Sequence, residues 1–149
     1  MKNYSFVIKC VFTIVMLTSL YITYQSNFNT HKADAAVAKK ATRNYYTKNQ
    51  CTWYVFNKRT SAKRYIYSNW GNAKNWASAA RRTGYRVGRT PMRGAIMQST
   101  SGYYGHVAYV EGVYNNGNVK VSEYNFNRPL RYGTRIISKA SARNYNYIY

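Results

Sequence analysis

"HVAYVEGVYNNGNVKVSEYNF", residues 106–126, holds two alternating apolar runs on either side of an Asn-Gly pair. Alternation with a period of two marks a half-buried strand, and Asn-Gly between two such runs is a strong hairpin signal. With Asn116 and Gly117 as the two central turn residues, Asn115 pairs with Asn118, Val110 lies opposite Glu123, and Ala108 lies opposite Asn125. Side chains alternate across a strand, so this register puts His106, Glu123 and Asn125 on one face of a sheet and Glu111 on the other. A one-residue change in loop length would reverse the assignment.

On either side of the hairpin, "AIMQ" at residues 95–98 and apolar stretches near residues 130–137 and 145–148 supply further short strands, while "RVGRTPMRG" at residues 86–94 reads as loop. The upstream sequence has a helical character. In "YTKNQCTWYVFNKR", residues 46–59, Thr47 and Gln50 have capping-box spacing, which predicts a helix starting near Thr47 or Asn49 with Cys51 in its first turn. There the unpaired N–H groups and the positive end of the helix dipole favour a thiolate over a thiol. In "GNAKNWASAARRTG", residues 71–84, a second helix is expected over residues 72–82, with Ala73, Trp76, Ala77 and Ala80 on one face and Gly84 as the stop. Helices first and strands afterwards predict an α+β domain, its N-terminal helices packed on an antiparallel sheet.

The chain's 149 residues suit one domain. At its start, Lys2 and Lys9 precede an uncharged apolar run over residues 10–22, and "ADA" follows at residues 33–35. That order predicts a secretory signal peptide over residues 1–35, cut after Ala35; the apolar run falls short of the roughly 20 residues of a membrane span. Residues 36–44 read as a short flexible lead-in and residues 45–149 as the domain. Such a cut removes Cys10 and His31 and leaves Cys51, His106, Glu111 and Glu123 as the cysteine, histidine and carboxylate side chains of the exported chain. A lone cysteine there is a reactive thiol, half of an intermolecular bridge, or an inert buried residue. One cysteine and one histidine fall short of a metal's usual three or four ligands, so no metal or cofactor is expected. The 23 Lys and Arg against three Asp and Glu, a formal charge of +20, direct the chain to polyanions such as nucleic acid, anionic lipid or wall phosphate polymers, or serve solubility alone. Export argues against nucleic acid. Trp53, Trp70 and Trp76 are expected in the core, not as sugar platforms.

An imidazole between a thiol and a carboxylate or amide is the working arrangement of a cysteine hydrolase. Cys51 early on a helix, His106 leading a strand, and Glu123 with Asn125 on the next strand could meet in one cleft. The bland alternatives are a strand-edge histidine, a structural counterion at Glu123 (the better reading for Glu111) and a turn cap at Asn125.

"NQCTWYVFNKR", "WGNAKNWASAARRTGY", "TPMRGAIMQSTSGYYGHVAYVEGV" and "VKVSEYNF", in this order and spacing, resemble a CHAP domain, the cysteine- and histidine-dependent amidohydrolase/peptidase, of the staphylococcal secretory antigen type. The likeness runs from about Tyr45 to the C-terminus. It implies a papain-like fold of the NlpC/P60 type and hydrolysis of a peptidoglycan amide, either N-acetylmuramoyl-L-alanine or within the stem or cross-bridge peptides. It would make Cys51 the nucleophile, His106 the general base, Glu123 the group orienting the imidazole, Asn125 a further polar residue of the site and Gln50 an oxyanion donor. The chain is more basic than expected of such a domain and shows no repeated wall-binding module. A secreted, wall-associated monomer is therefore expected, with no stable membrane insertion and with teichoic acid binding by the basic surface in place of a targeting module. The other reading is a non-catalytic, cationic, cell-wall-binding surface antigen.

Overall fold

The computed structural model describes residue 16, residues 18–22 and residues 43–149, and the chain divides into two compact units, residues 1–39 and 40–149. In the first unit, residue 16 and residues 18–22 are helical. The rest of the expected signal peptide, its cut after Ala35 and most of the lead-in lie outside the described residues. Among the described residues no helix is long and apolar enough to cross a membrane.

The second unit is an α+β domain. Its first helix, α1 (Cys51–Ser61), begins later than the capping-box spacing predicts. Asn49 has φ of 65°, which no helix can include, and Gln50 is an extended N-cap whose side chain makes no capping bond. Cys51 is therefore the first helical residue. Val55 and Phe56, one turn on, are buried and hold the helix to the sheet. The predicted second helix splits into a 3-10 turn (Ala73–Asn75) and α2 (Trp76–Arg82). Ala73, Trp76, Ala77 and Ala80 are all buried, and Gly84, at φ 90°, ends the helix with bonds from Gly84 N to Arg81 O and from Tyr85 N to Ala80 O.

Six strands form one antiparallel sheet in the order β1-β6-β2-β3-β4-β5, namely β1 (Val87–Gly88), β2 (Ile96–Ser99), β3 (His106–Val113), β4 (Val119–Tyr124), β5 (Tyr132–Ile137) and β6 (Asn146–Ile148). Between β5 and β6, Ser138 caps the short α3 (Lys139–Ala142), accepting from Ser141 N. One sheet face, with Ile96, Val107, Tyr109 and Ile148, packs on Val55, Phe56, Trp70 and Trp76 from the helical side. The other carries Met97, Ala108, Val110, Val119, Val121 and Tyr147 against Ala142. β1 falls in the stretch expected to be loop: two residues are too few for periodicity, and only pairing with β6 makes them a strand.

The hairpin register differs from the predicted one. Tyr114 N bonds Asn118 O and Gly117 N bonds Tyr114 O, so Asn115 and Asn116 are the central turn residues and Gly117, at φ 83°, is the third residue of the loop. A bulge between Val110 and Gly112 then leaves Glu111 unpaired, and the ladder continues with Val110 opposite Val121 and Tyr109 opposite Ser122. Each change displaces the register by one residue. Together they preserve parity, so His106 and Glu123 still share a face although Val110 does not oppose Glu123. Asn125 is no sheet position at all: β4 ends at Tyr124 and Asn125 has φ of 57°.

Candidate active site

Cys51 reaches the site as the first residue of α1, His106 as the first of β3 and Glu123 near the end of β4. The His106 imidazole hydrogen-bonds the Cys51 thiol on one side. On the other, its Nε2 lies 2.9 Å from Glu123 Oε2, which leaves Nδ1 for the sulfur. Side-chain exposure is 12% for His106 and 3% for Glu123, so the pair is largely dry. Glu123 also accepts from Arg135: Nε donates to Oε1 at 2.6 Å and the outer guanidinium nitrogen to Oε2 at 3.2 Å. Phe126 completes the cluster, its ring centroid 4.9 Å from that of His106 and 3.7 Å from the Arg135 guanidinium carbon.

These contacts set the protonation states. Burial disfavours the imidazolium, but the hydrogen bonds and charges of Cys51 and Glu123 outweigh it and push His106 up to about 9. Burial likewise disfavours the thiolate. His106, together with the backbone N–H groups of Val107 and Thr52, overcomes it and brings Cys51 below the ordinary thiol range. The Glu123 carboxyl is also held low, since burial is outweighed by His106 and Arg135. These shifts favour a thiolate beside an imidazolium, backed by a carboxylate and a guanidinium.

Asn125 and Gln50 come together beside this chain, with Asn125 Nδ2 donating to Gln50 Oε1 at 2.6 Å. Asn125 Oδ1 accepts from Leu130 N at 3.0 Å, so Asn125 braces Gln50 and the following loop and makes no bond to the imidazole. The side-chain oxygen of Gln50 accepts this bond, and Gln50 is among the residues lining the cleft. Glu111 lies elsewhere, bound to Lys58 at 2.7 Å and accepting from Ser122 Oγ at 2.6 Å. Among the described residues no group of three or more His, Cys, Asp or Glu side chains could hold a metal. Sequence reasoning missed Arg135, which pairs with the buried Val121 across β4 and β5, and Phe126; neither carries a local signal.

Cys51 and His106 open into a cleft of about 820 Å³, bounded by residues 45–47, 50–52, 68–69, 71–73 and 101–106 together with Asn125. Its wall depends on Gly105. That glycine has φ of 71°, and an added Cβ would fall 2.7 Å from Lys74 Cα, where Lys74 N bonds Tyr104 O. Gly105→Ala is therefore expected to destabilise the domain by about 2–3 kcal/mol through backbone strain and a clash with backbone that cannot retreat. Gly102→Ala, at φ 77° with open space around it, should cost only about 1 kcal/mol. Chemical denaturation of the two variants checks the difference.

The CHAP domain family model matches residues 40–125. Staphylococcal secretory antigen SsaA of Staphylococcus epidermidis is 46% identical over 133 residues, 89% of this chain and 51% of that protein. Staphylococcal secretory antigen SsaA of Staphylococcus aureus is 56% identical over 107 residues, 71% of this chain and 41% of that protein. The chain thus spans about half the length, or less, of these curated relatives. Among solved structures, an N-acetylmuramoyl-L-alanine amidase from Staphylococcus aureus superposes with a TM-score of 0.65 at 36% identity, over 67% of this chain and 30% of that one.

Proposed function

The chain belongs to the CHAP domain family, and from that premise we propose that it is a secreted peptidoglycan hydrolase that cuts a cell-wall amide through a Cys51 thioester. The observation that carries this reading is the hydrogen-bonded chain Cys51–His106–Glu123, open to a cleft at its cysteine end. The thiolate attacks the amide carbonyl carbon, and the C–N bond breaks as the His106 imidazolium protonates the leaving amine. His106, now neutral, takes a proton from water. The resulting hydroxide attacks the thioester, releases the carboxylate and restores the thiolate–imidazolium pair.

The N–H of Cys51 at the start of α1 and the Gln50 NH2 group supply oxyanion donors, each worth about 3–4 kcal/mol when preorganised. Glu123 fixes the ring and offsets its charge, and Arg135 holds Glu123. The solved amidase relative favours the amide between muramic acid and L-alanine over a stem or cross-bridge peptide bond. Digestion of purified walls with mass spectrometry of the soluble products tests the reading: new carboxyl and amine ends at one amide are expected. Adsorption to the wall with no new ends would favour a non-catalytic wall-binding antigen.

The Glu123 role has its own test. Glu123→Gln removes the charge that holds the imidazolium and leaves Arg135 without its anion, so kcat should fall about a hundredfold. The alkaline limb of the pH profile should move to lower pH, because His106 loses part of what raises it. Glu111→Gln should leave both unchanged; equal losses in the two variants would remove Glu123 from the mechanism.

The basic surface serves adsorption in this account. Glu111 is paired with Lys58, and Glu123 with Arg135 and His106, so the other described Lys and Arg have no carboxylate side chain to neutralise them. A wall-associated enzyme would hold teichoic acid phosphates with these groups.

A further inference from the structure

The charge of this chain stops at its cleft. Among the described residues that line it there is no Lys, Arg, Asp or Glu; apart from Cys51 and His106 the lining is Tyr, Thr, Ser, Asn, Gln, Gly and Ala. In a chain of net charge +20 this is a selective exclusion. Beyond the Cys51–His106 pair and the Lys74 ammonium at the Tyr103 ring, a ligand segment bearing free carboxylate or ammonium groups would find no counter-charge among the lining side chains, whereas a neutral segment rich in hydroxyl and amide groups would find partners. The side-chain amides of Asn69 and Asn72, both exposed on the wall, are among the donors and acceptors on offer.

The same wall carries two rings that folding does not bury. Tyr103 is 77% exposed and Tyr104 63% exposed, and they pack edge to face with centroids 4.7 Å apart. The backbone beneath them is anchored, since Tyr104 O accepts from Lys74 N at 2.9 Å and Gly105 rests on the Lys74 backbone. Lys74 Nζ lies 5.2 Å from the centre of the Tyr103 ring, which limits that ring's freedom. Trp70 and Trp76 are buried in the core, and among the residues lining the cleft the exposed aromatic rings are tyrosines. Fixed, solvent-facing rings beside unpaired amides in an uncharged cleft are what a pyranose requires: its C–H face packs on a ring while its hydroxyl and acetamido groups find polar partners.

We infer that Tyr103 and Tyr104 form a saccharide platform, and that the cleft takes the neutral N-acetylated sugar of the wall glycan beside the amide that Cys51 attacks. This rests on the peptidoglycan reading above and sharpens it by assigning the sugar, and not the stem peptide, to this wall.

The test uses the chain carrying Cys51→Ala, titrated by calorimetry with two probes: a neutral disaccharide of two N-acetylglucosamine units, and a sugar-free stem peptide. Tyr103→Ala is expected to weaken the disaccharide about tenfold and leave the peptide unchanged. Tyr114→Ala, at an exposed tyrosine outside this cleft, should alter neither. Equal weakening of both probes by Tyr103→Ala, or a disaccharide that does not bind, would overturn the platform. A disaccharide that binds through Tyr103 while the parent chain leaves walls intact would sustain the platform and refute the hydrolase.

Discussion

Replacing Cys51 by alanine is expected to abolish release of soluble wall fragments, a fall of at least about four orders of magnitude that takes turnover into the background. Cys51 is the free thiol of the described residues, and His106 is placed to serve it alone. Without the sulfur no thioester forms. The fold should persist. Cys51 is buried at the head of α1, and loss of one sulfur atom there costs about 1 kcal/mol, a small part of a domain's stability. Adsorption to walls should persist as well, since the substitution touches none of the basic side chains. Fragment release by the variant at the parental rate would end the cysteine mechanism.

His106→Ala should be nearly as damaging, with a loss of about three to four orders of magnitude, because one side chain performs two tasks. It is the acid that protonates the leaving amine, and it is the charge that offsets burial of the thiolate. With it gone, burial acts on Cys51 without its main opponent and returns the group to a protonated, unreactive thiol. The same coupling sets the pH dependence. His106 is raised to about 9, so the imidazolium is present below that pH and is lost as pH rises through it. Cys51 is lowered, so the thiolate is present above its depressed value and is lost as pH falls through it. Activity of the parent should therefore hold across neutral pH and decline as pH rises through about 9. A profile that climbs steadily through that range would mean that a free thiolate, and not the ion pair, is the working form.

The parts of the site readable in the sequence were those set by local chemistry. Cys51 near a helix start follows from the apolar pattern of residues 53–56, and a strand beginning at His106 follows from alternation. The proposed capping box failed because Asn49 adopts a left-handed conformation that its neighbours do not announce, and the side chain of Gln50 turns to Asn125. The hairpin shows how far pattern reaches. Gly117 marks a turn, but its sequence position does not reveal whether the loop has two residues or three, and nothing in "VEGV" announces the bulge at Glu111. Parity was preserved because the two one-residue displacements add to two.

Arg135 was invisible for a different reason. Its strand, β5, is a half-exposed edge on which arginine is unexceptional, and only the three-dimensional pairing sets it against Glu123. It also lies beyond the stretch matched by the family model. β1 and α3 were missed because two and four residues carry no period of their own.

The central claim is that Cys51 and His106 rest as a thiolate–imidazolium pair, and the rate of Cys51 alkylation by iodoacetamide as a function of pH tests it most directly. Alkylation of the parent is expected to set in at clearly lower pH than that of His106→Ala, which should react appreciably only as pH approaches or exceeds the ordinary thiol value of about 8.5. A parent whose alkylation rate climbs only near that value, indistinguishable from His106→Ala, would contradict it.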